Sequence, residues 1–148
     1  ESYAAQLGSD CPFFIQNKPA LASGTGTELE PCNVNLSGYH LVLIHPGLHI
    51  STKEAYAGTT PKEPEHQLKE ILEKADISTW RETLVNDFEE SIFKKQPILA
   101  EIKAELYEQG AIYAAMSGSG SSLFGIYKEQ PPIIKAFSQK FFYRTMSL

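Results

Sequence analysis

The chain has 148 residues, of which 42% are hydrophobic and 21% are charged, and its formal net charge is −5. This negative net charge excludes a broad surface for binding nucleic acid, which would need clustered Lys and Arg. No apolar run reaches the ~20 residues needed to cross a bilayer. The length corresponds to one domain that buries about two-thirds of its unfolded surface.

The first residues predict the last turns of a helix that ends at Gly8. Because they do not begin with Met, we expect the back part of a longer protein. Asp10 follows in a turn that leads, through Cys11 and Pro12, into an apolar run. An Asp in a turn either bonds its own backbone or, when held rigidly, accepts a proton from a substrate hydroxyl. Both interpretations of Asp10 stay open at this point.

Cysteine usage bears on the compartment of the protein. Cys11 and Cys32 are the two cysteines of the chain, and they are too few to form a disulfide framework. We expect two free thiols, which fits a reducing, cytoplasmic environment.

Strand patterns dominate the next part of the chain. Residues 18–23 predict a strand that ends in a tight turn at Gly24, Thr25 and Gly26, with residues 27–30 as its returning partner. Residues 39–44 (YHLVLI) predict the clearest strand, since they are mostly apolar or β-branched.

A histidine pair follows that strand. His45 and His49 are four residues apart, but Pro46 and Gly47 break any helix that could align the two rings. The sequence therefore predicts no metal site here. Thr52, a little further on, is expected to cap a short helix together with the preceding serine, to point its hydroxyl to a ligand, or both.

The middle of the chain is predicted to be mainly helical after a loop over residues 58–64. The longest helix begins at Pro97 and stops at Gly110, and a final helix and strand close the chain. This mixed order predicts an α+β fold with an antiparallel sheet. The predicted helices cover residues 65–74, 78–85, 87–95 and 97–109, and the last strand covers 141–146. Ser78 is expected to cap the second of these helices, and a short helix after 131–132 is expected to turn Ile133 inward.

A loop of small residues lies between two short apolar runs, residues 112–116 and 123–127, which predict buried strands. Its glycines allow positive φ, and successive amide N–H groups in such a loop can bind an anion. A loop beside a phosphate is the preferred interpretation, and a flexible connector is the alternative. A hydrolase nucleophile is disfavoured, because that elbow needs a helix directly after the strand. The loop residues are Ser117, Gly118, Ser119, Gly120, Ser121 and Ser122.

Several stretches read together resemble the GHMP kinases. Residues 7–14 (LGSDCPFF) are similar to the segment that carries the catalytic aspartate of that family. Residues 20–26 (ALASGTG) and 45–52 look like its substrate-side segments, and residues 116–125 (MSGSGSSLFG) resemble its third motif. Residues 86–89 (NDFE) also look like the branch that phosphorylates 4-diphosphocytidyl-2-C-methyl-D-erythritol. The resemblance covers essentially the whole chain in the correct order.

This resemblance implies phosphoryl transfer from ATP to the 2-hydroxyl of that substrate, in non-mevalonate isoprenoid biosynthesis. It implies a two-layer sandwich of helices on an antiparallel, ferredoxin-like sheet. Residues 1–17 would be the tail end of an N-terminal kinase domain, and residues 18–148 the substrate-side C-terminal domain. The implied roles are Asp10 as the base, Gly24, Thr25, Gly26 and Thr52 along the substrate, and residues 117–122 beside the phosphates.

The chain departs from the family pattern in one respect. The family's ATP loop and early lysine lie upstream of the aspartate, whereas the first lysine here, Lys18, follows Asp10. We therefore expect one wall of an active site that is inactive alone, with ATP and Mg²⁺ held largely by residues outside this chain. The alternatives are another GHMP kinase, of the homoserine or mevalonate type, or a non-catalytic α+β sensor domain that binds a small anion.

Overall fold

A computed structural model describes residues 2–8, 10–60 and 67–148. The chain divides into two compact units, Glu1–Asn35 with Gln67–Ala75, and Leu36–His66 with Asp76–Leu148. None of the described helices is long and apolar enough to span a membrane. In chain order the elements are α1 (Ser2–Leu7), α2 (Cys11–Gln16), β1 (Ala20–Ser23), β2 (Glu28–Pro31), β3 (His40–His45), α3 (Thr52–Ala57), α4 (Leu68–Lys74), a 3₁₀ helix (Ile77–Thr79), α5 (Trp80–Thr83), α6 (Phe88–Lys95), α7 (Pro97–Glu108), β4 (Tyr113–Met116), β5 (Leu123–Tyr127), α8 (Lys135–Ser138) and β6 (Phe142–Ser147).

The first unit contains α1, α2, α4 and a two-stranded sheet of β1 and β2. The two strands are antiparallel, with Ser23 opposite Glu28, which confirms the predicted strand, turn and returning strand. The apolar run after Asp10, for which no helix was predicted, is helical. Pro12 suits the first turn of α2, because the N–H that it lacks would have no partner inside the helix.

Both cysteines lie in the first unit and are free, as predicted. Cys32 is buried and Cys11 is half-buried. Burial, and secondly the Glu73 carboxylate, raise the pKa of the Cys32 thiol, so that it stays protonated at neutral pH.

The second unit is built on a four-stranded antiparallel sheet in the order β4-β5-β3-β6. Leu43 in the central strand β3 lies opposite Phe124 of β5 and Arg144 of β6. With helices between β3 and β4 and between β5 and β6, this is the β-α-β-β-α-β plan of ferredoxin-like domains. The predicted α+β fold is confirmed.

The core of the second unit lies between α7 and the sheet. Helix α7 packs on β4 and β5, and α6 packs on α7. Three of the four apolar positions predicted to face inward on α7, Leu99, Ile102 and Leu106, are fully buried, because their spacing of three and four residues puts them on one face. The fourth, Ile98, is partly buried against the same core. The most deeply buried side chains include Val42, Ile44, Ile92, Leu99, Ile102, Leu106 and Leu123.

Two local predictions were wrong, and two others concern residues that the structure does not describe. Ser78 does not cap a helix; instead the Asp76 carboxylate accepts a hydrogen bond from the Ser78 N–H at 2.9 Å. Ile133 was expected to face inward but is exposed, because α8 begins only at Lys135 and leaves Ile133 outside the helix. The predicted loop beyond residue 60 and the predicted helix start at 65 fall on residues 61–66, outside the described residues.

Candidate functional site

The 117–122 loop joins β4 to β5 and closes on itself. The Ser117 N–H donates to the Ser122 carbonyl at 2.8 Å, and the Gly120 N–H donates to the Ser117 carbonyl at 3.0 Å. Gly118 and Gly120 have φ of +56° and +93°, which glycine adopts without strain. This geometry favours a built loop over a flexible connector.

Asn86, directly before α6, holds the first half of the loop. Its Nδ2 donates to the carbonyls of Met116 and Gly118, both at 2.8 Å, and its Oδ1 accepts from the Phe88 N–H at 3.0 Å. Sequence reasoning did not assign Asn86 to the site. The signal that could have found it was the resemblance of residues 86–89 to the kinase branch.

Glu89, in the first turn of α6, also binds the backbone of Met116. It is only 7% exposed, and its Oε1 accepts a hydrogen bond from the Met116 N–H at 2.7 Å. Its second oxygen, Oε2, accepts from Lys103 Nζ. Both oxygens are therefore paired, as a buried carboxylate requires. The helical pattern predicted α6 but gave no sign that one of its acidic residues is buried.

Tyr113 stands at the start of β4, near the Glu89 carboxylate. Burial, and secondly that carboxylate, raise the pKa of its phenol well above the ordinary value. The side chain therefore stays a neutral donor, and its hydroxyl donates to the Leu84 carbonyl at 3.3 Å. The rings of Trp80 and Phe124 pack edge-on against the Tyr113 ring, and these contacts stabilise the pairing of β4 with β5.

The second half of the loop is tied to the chain that follows β3. Ser121 is 2% exposed, and its hydroxyl donates to the Leu48 carbonyl at 2.6 Å. The Ser122 hydroxyl lies 3.2 Å from Nδ1 of His45, the last residue of β3. Among the described residues no group of three or more His, Cys, Asp and Glu could hold a metal ion.

The outer side of the loop carries the groups that can meet a ligand. Ser117 and Gly118 are exposed, and Ser119 is half-buried. Within the described part of the chain, the amide N–H groups of Gly118 and Ser119 have no hydrogen-bond partner. A Cβ at Gly118 would meet nothing within 4 Å, whereas one at Gly120 would lie 2.7 Å from the Met116 sulfur. The open edge, with two successive donors, can accept an anion.

Thr52 is also in the second unit, where it is the exposed first residue of α3. Ser51 occupies the N-cap position but its side chain makes no capping hydrogen bond. Two residues further on, Glu54 pairs with Lys95 at 2.8 Å, and the hydrogen bond and charge of that lysine lower the pKa of the Glu54 carboxyl.

The other predicted site residues lie in the first unit. Asp10 is exposed at the N-cap position of α2, with φ −85° and ψ −14°, and its side chain does not cap the helix. The 24–26 turn joins β1 to β2; the Gly26 N–H donates to the Ser23 carbonyl at 3.0 Å. The candidate residues are thus divided over the two units, and their roles in one active site stay a prediction.

The β-α-β-β-α-β plan, with a Gly-Ser loop that hydrogen bonds hold between β4 and β5, defines the class of protein. It is an α+β domain with a loop suited to binding an anion. The family described as "GHMP kinases C terminal" matches residues 66–143, which is more than half of the chain. The chain belongs to this family.

Individual relatives and solved structures agree with that assignment. A 4-diphosphocytidyl-2-C-methyl-D-erythritol kinase of Bacteroides fragilis is 48% identical over 146 residues, which are 98% of this chain and 53% of the relative. The crystal structure of a 4-(cytidine 5'-diphospho)-2C-methyl-D-erythritol kinase matches 95% of this chain and 53% of its own, with a TM-score of 0.73 and 26% identity. A homoserine kinase from Cytophaga hutchinsonii matches 87% of this chain and 47% of its own, with a TM-score of 0.62 and 18% identity, a likeness of fold alone. The chain spans about half the length of these relatives.

Proposed function

We propose that this chain is part of an enzyme that transfers the terminal phosphoryl group of ATP to the 2-hydroxyl of 4-diphosphocytidyl-2-C-methyl-D-erythritol, in isoprenoid biosynthesis. The observation that carries the proposal is the 48% identity, over 98% of this chain, to a relative of that name. The substrate is a small molecule, and nucleic acid and membrane have no part in the reaction.

Phosphoryl transfer depends mainly on positioning and on stabilising charge, so modest residue types suffice. In the proposal Asp10 accepts the proton of the substrate hydroxyl, and the 24–26 turn and Thr52 line the substrate. The 117–122 loop lies beside the transferred group, where the outward amides of Gly118 and Ser119 donate to phosphate oxygens. Support for this last role comes from the open edge at Gly118.

The residues present fit the phosphates of ATP better than they fit its metal. No described group of acidic, His or Cys residues could hold a metal ion, although Mg²⁺ on a nucleotide usually needs only one or two carboxylates besides the phosphates. When bound, Mg²⁺ would neutralise phosphate charge. ATP and the ion are held largely by residues outside this chain.

A neighbouring kinase domain is part of the proposal. Residues 1–17 belong to the end of that domain, and the relatives of this chain are about twice its length. Large apolar side chains are highly exposed on α1 and α2: Tyr3 at 82%, Leu7 at 86% and Phe14 at 72%. Such a patch is typical of a surface that is covered in the complete molecule. The free thiols support a cytoplasmic location.

The test is a phosphorylation assay with the full-length protein that contains this chain. Three acceptors are compared with ATP and Mg²⁺: the diphosphocytidyl substrate, homoserine and mevalonate. We expect phosphorylation of the first at a rate far above the other two. Preference for either other acceptor would assign another kinase of the same family, and anion binding without any transfer would indicate the sensor. The 148-residue chain alone should give no product above background.

A further inference from the structure

The edge of the sheet at the loop entrance has its backbone groups satisfied by side chains. Strand β4 is an edge strand, and Met116, its last residue, lies opposite Leu123 of β5. The next pair, Ser117 with Ser122, is hydrogen-bonded. Because such pairs alternate along an antiparallel ladder, the N–H and carbonyl of Met116 point away from β5. An unpaired edge of this kind needs other partners.

Two side chains from the start of α6 supply those partners. Glu89 accepts from the Met116 N–H at 2.7 Å, and Asn86 donates to the Met116 carbonyl at 2.8 Å. Asn86 also donates to the Gly118 carbonyl at 2.8 Å. These bonds fix the peptide groups before and after Met116 and the peptide group between Gly118 and Ser119. The last of the three peptide groups includes the Ser119 N–H. The direction of an outward amide of the loop is thus set by Asn86.

We infer that Asn86 and Glu89 are positioning residues for phosphoryl transfer: they hold the 117–122 loop so that its outward amides meet the phosphate. The inference rests on the proposed function for its kinetic consequence. The amide of Asn86 uses both donor and acceptor, since its Oδ1 takes the Phe88 N–H at 3.0 Å. Only an amide can serve the loop and the start of α6 together.

The neighbouring residue offers a matched control. Asp87 is exposed at the N-cap position of α6 and makes no capping hydrogen bond with its side chain. Asn86→Asp keeps the acceptor for the Phe88 N–H but loses both donors to the loop. Asn86→Ala loses them without adding charge. Asp87→Asn changes the adjacent side chain only, and the double exchange of residues 86 and 87 leaves the net charge unchanged.

The experiment uses the full-length protein and two readouts. Asn86→Asp and Asn86→Ala should lower kcat by about 10²-fold, the cost of displacing a reacting group by about 1 Å, with the KM for the acceptor changed less than about threefold. The amides of Ser117 and Gly120, which donate hydrogen bonds inside the loop, should exchange faster in both variants. Asp87→Asn should match the wild type in both readouts. A folded Asn86 variant with wild-type kcat, or with unchanged exchange in the loop, would overturn the inference.

Two further outcomes are separated by the same design. A wild-type protein without phosphoryl transfer would refute the proposed function, while the exchange readout would still decide whether Asn86 holds the loop. If neither Asn86 variant folds, the wild type decides. Its Asn86 side-chain amide protons should be protected from exchange and should shift in the NMR spectrum when ATP and Mg²⁺ bind. Rapid exchange of these protons would refute the role.

Discussion

Two turns of the molecule have nearly the same sequence and nearly the same shape. In Ser23-Gly24-Thr25-Gly26 and in Ser117-Gly118-Ser119-Gly120, the fourth N–H donates to the first carbonyl at 3.0 Å. The first glycines have φ of +62° and +56°, and the second ones +90° and +93°. Each turn joins two adjacent antiparallel strands. Local sequence therefore decides the shape of the turn.

What differs is the way each turn is held. Among the described residues, the side-chain hydrogen bonds of the 23–26 turn reach at most five positions along the chain, as from Ser23 to Glu28 at 3.1 Å. The 117–122 loop is held by Asn86, His45 and Leu48, which are between 32 and 77 positions away. The turn of the first unit is held by local side-chain bonds, and the loop of the second unit by bonds to distant parts of the chain. Fixed donors suit a transferring phosphate, since they need no reorganisation when charge develops.

The largest expected effect concerns Asp10, in the first unit. Asp10→Asn in the full-length protein should lower kcat by about 10²–10⁴-fold, the usual contribution of a general base, with little change in Tm. Asp87→Asn is the control, because Asp87 is also an exposed N-cap residue whose side chain makes no capping bond. Steady-state kinetics and thermal unfolding measure the two quantities. Normal kcat in Asp10→Asn would end its assignment as the base.

The second prediction compares the packing of the two turns. A Cβ at Gly120 would lie 2.7 Å from the Met116 sulfur and 2.9 Å from Ile50, whereas one at Gly24 has no contact closer than 3.5 Å. Gly24→Ala should cost about 1–2 kcal/mol, for the left-handed backbone alone. Gly120→Ala should cost about 1–3 kcal/mol more, for overpacking. Chemical denaturation measures both, and equal losses would show that the loop is no better packed than the turn.

The smallest stability effect concerns the serine hydroxyls. Ser121→Ala removes the buried hydrogen bond to the Leu48 carbonyl and should cost about 1 kcal/mol. Ser119→Ala, two residues earlier in the loop and half-buried, should change the stability by less than about 0.5 kcal/mol. Chemical denaturation curves measure the loss of stability in both variants. A larger loss at residue 119 would reverse the assignment of inner and outer sides of the loop.

Much of the fold could be predicted from the sequence because its signals are local. The run YHLVLI, the apolar spacing after Pro97 and the two Gly-containing turns each determine their structure within a few residues. The glycine loop was singled out for the same reason.

The residues that hold the loop could not be predicted in that way. Asn86 and Glu89 meet the loop across 27 to 32 positions of chain, and a helical pattern alone gives Glu89 no reason to be buried. The helix after Asp10 was missed because a proline near the start of an apolar run is compatible with both a turn and a first helical turn. Long-range contacts decide these cases, and a single sequence does not record them.

The central claim is that the 117–122 loop serves phosphoryl transfer. It is tested most directly by comparing Gly118→Ala with Gly24→Ala in the full-length protein. The two sites match, with φ of +56° and +62° and no atom closer than 3.5 Å to an added Cβ. Both variants should therefore lose similar stability. Gly118→Ala should lower kcat by about tenfold or more, since it disturbs donors to the reacting phosphate, while Gly24→Ala should chiefly raise the KM for the acceptor. Normal turnover in Gly118→Ala would reduce the loop to a connector and contradict the claim.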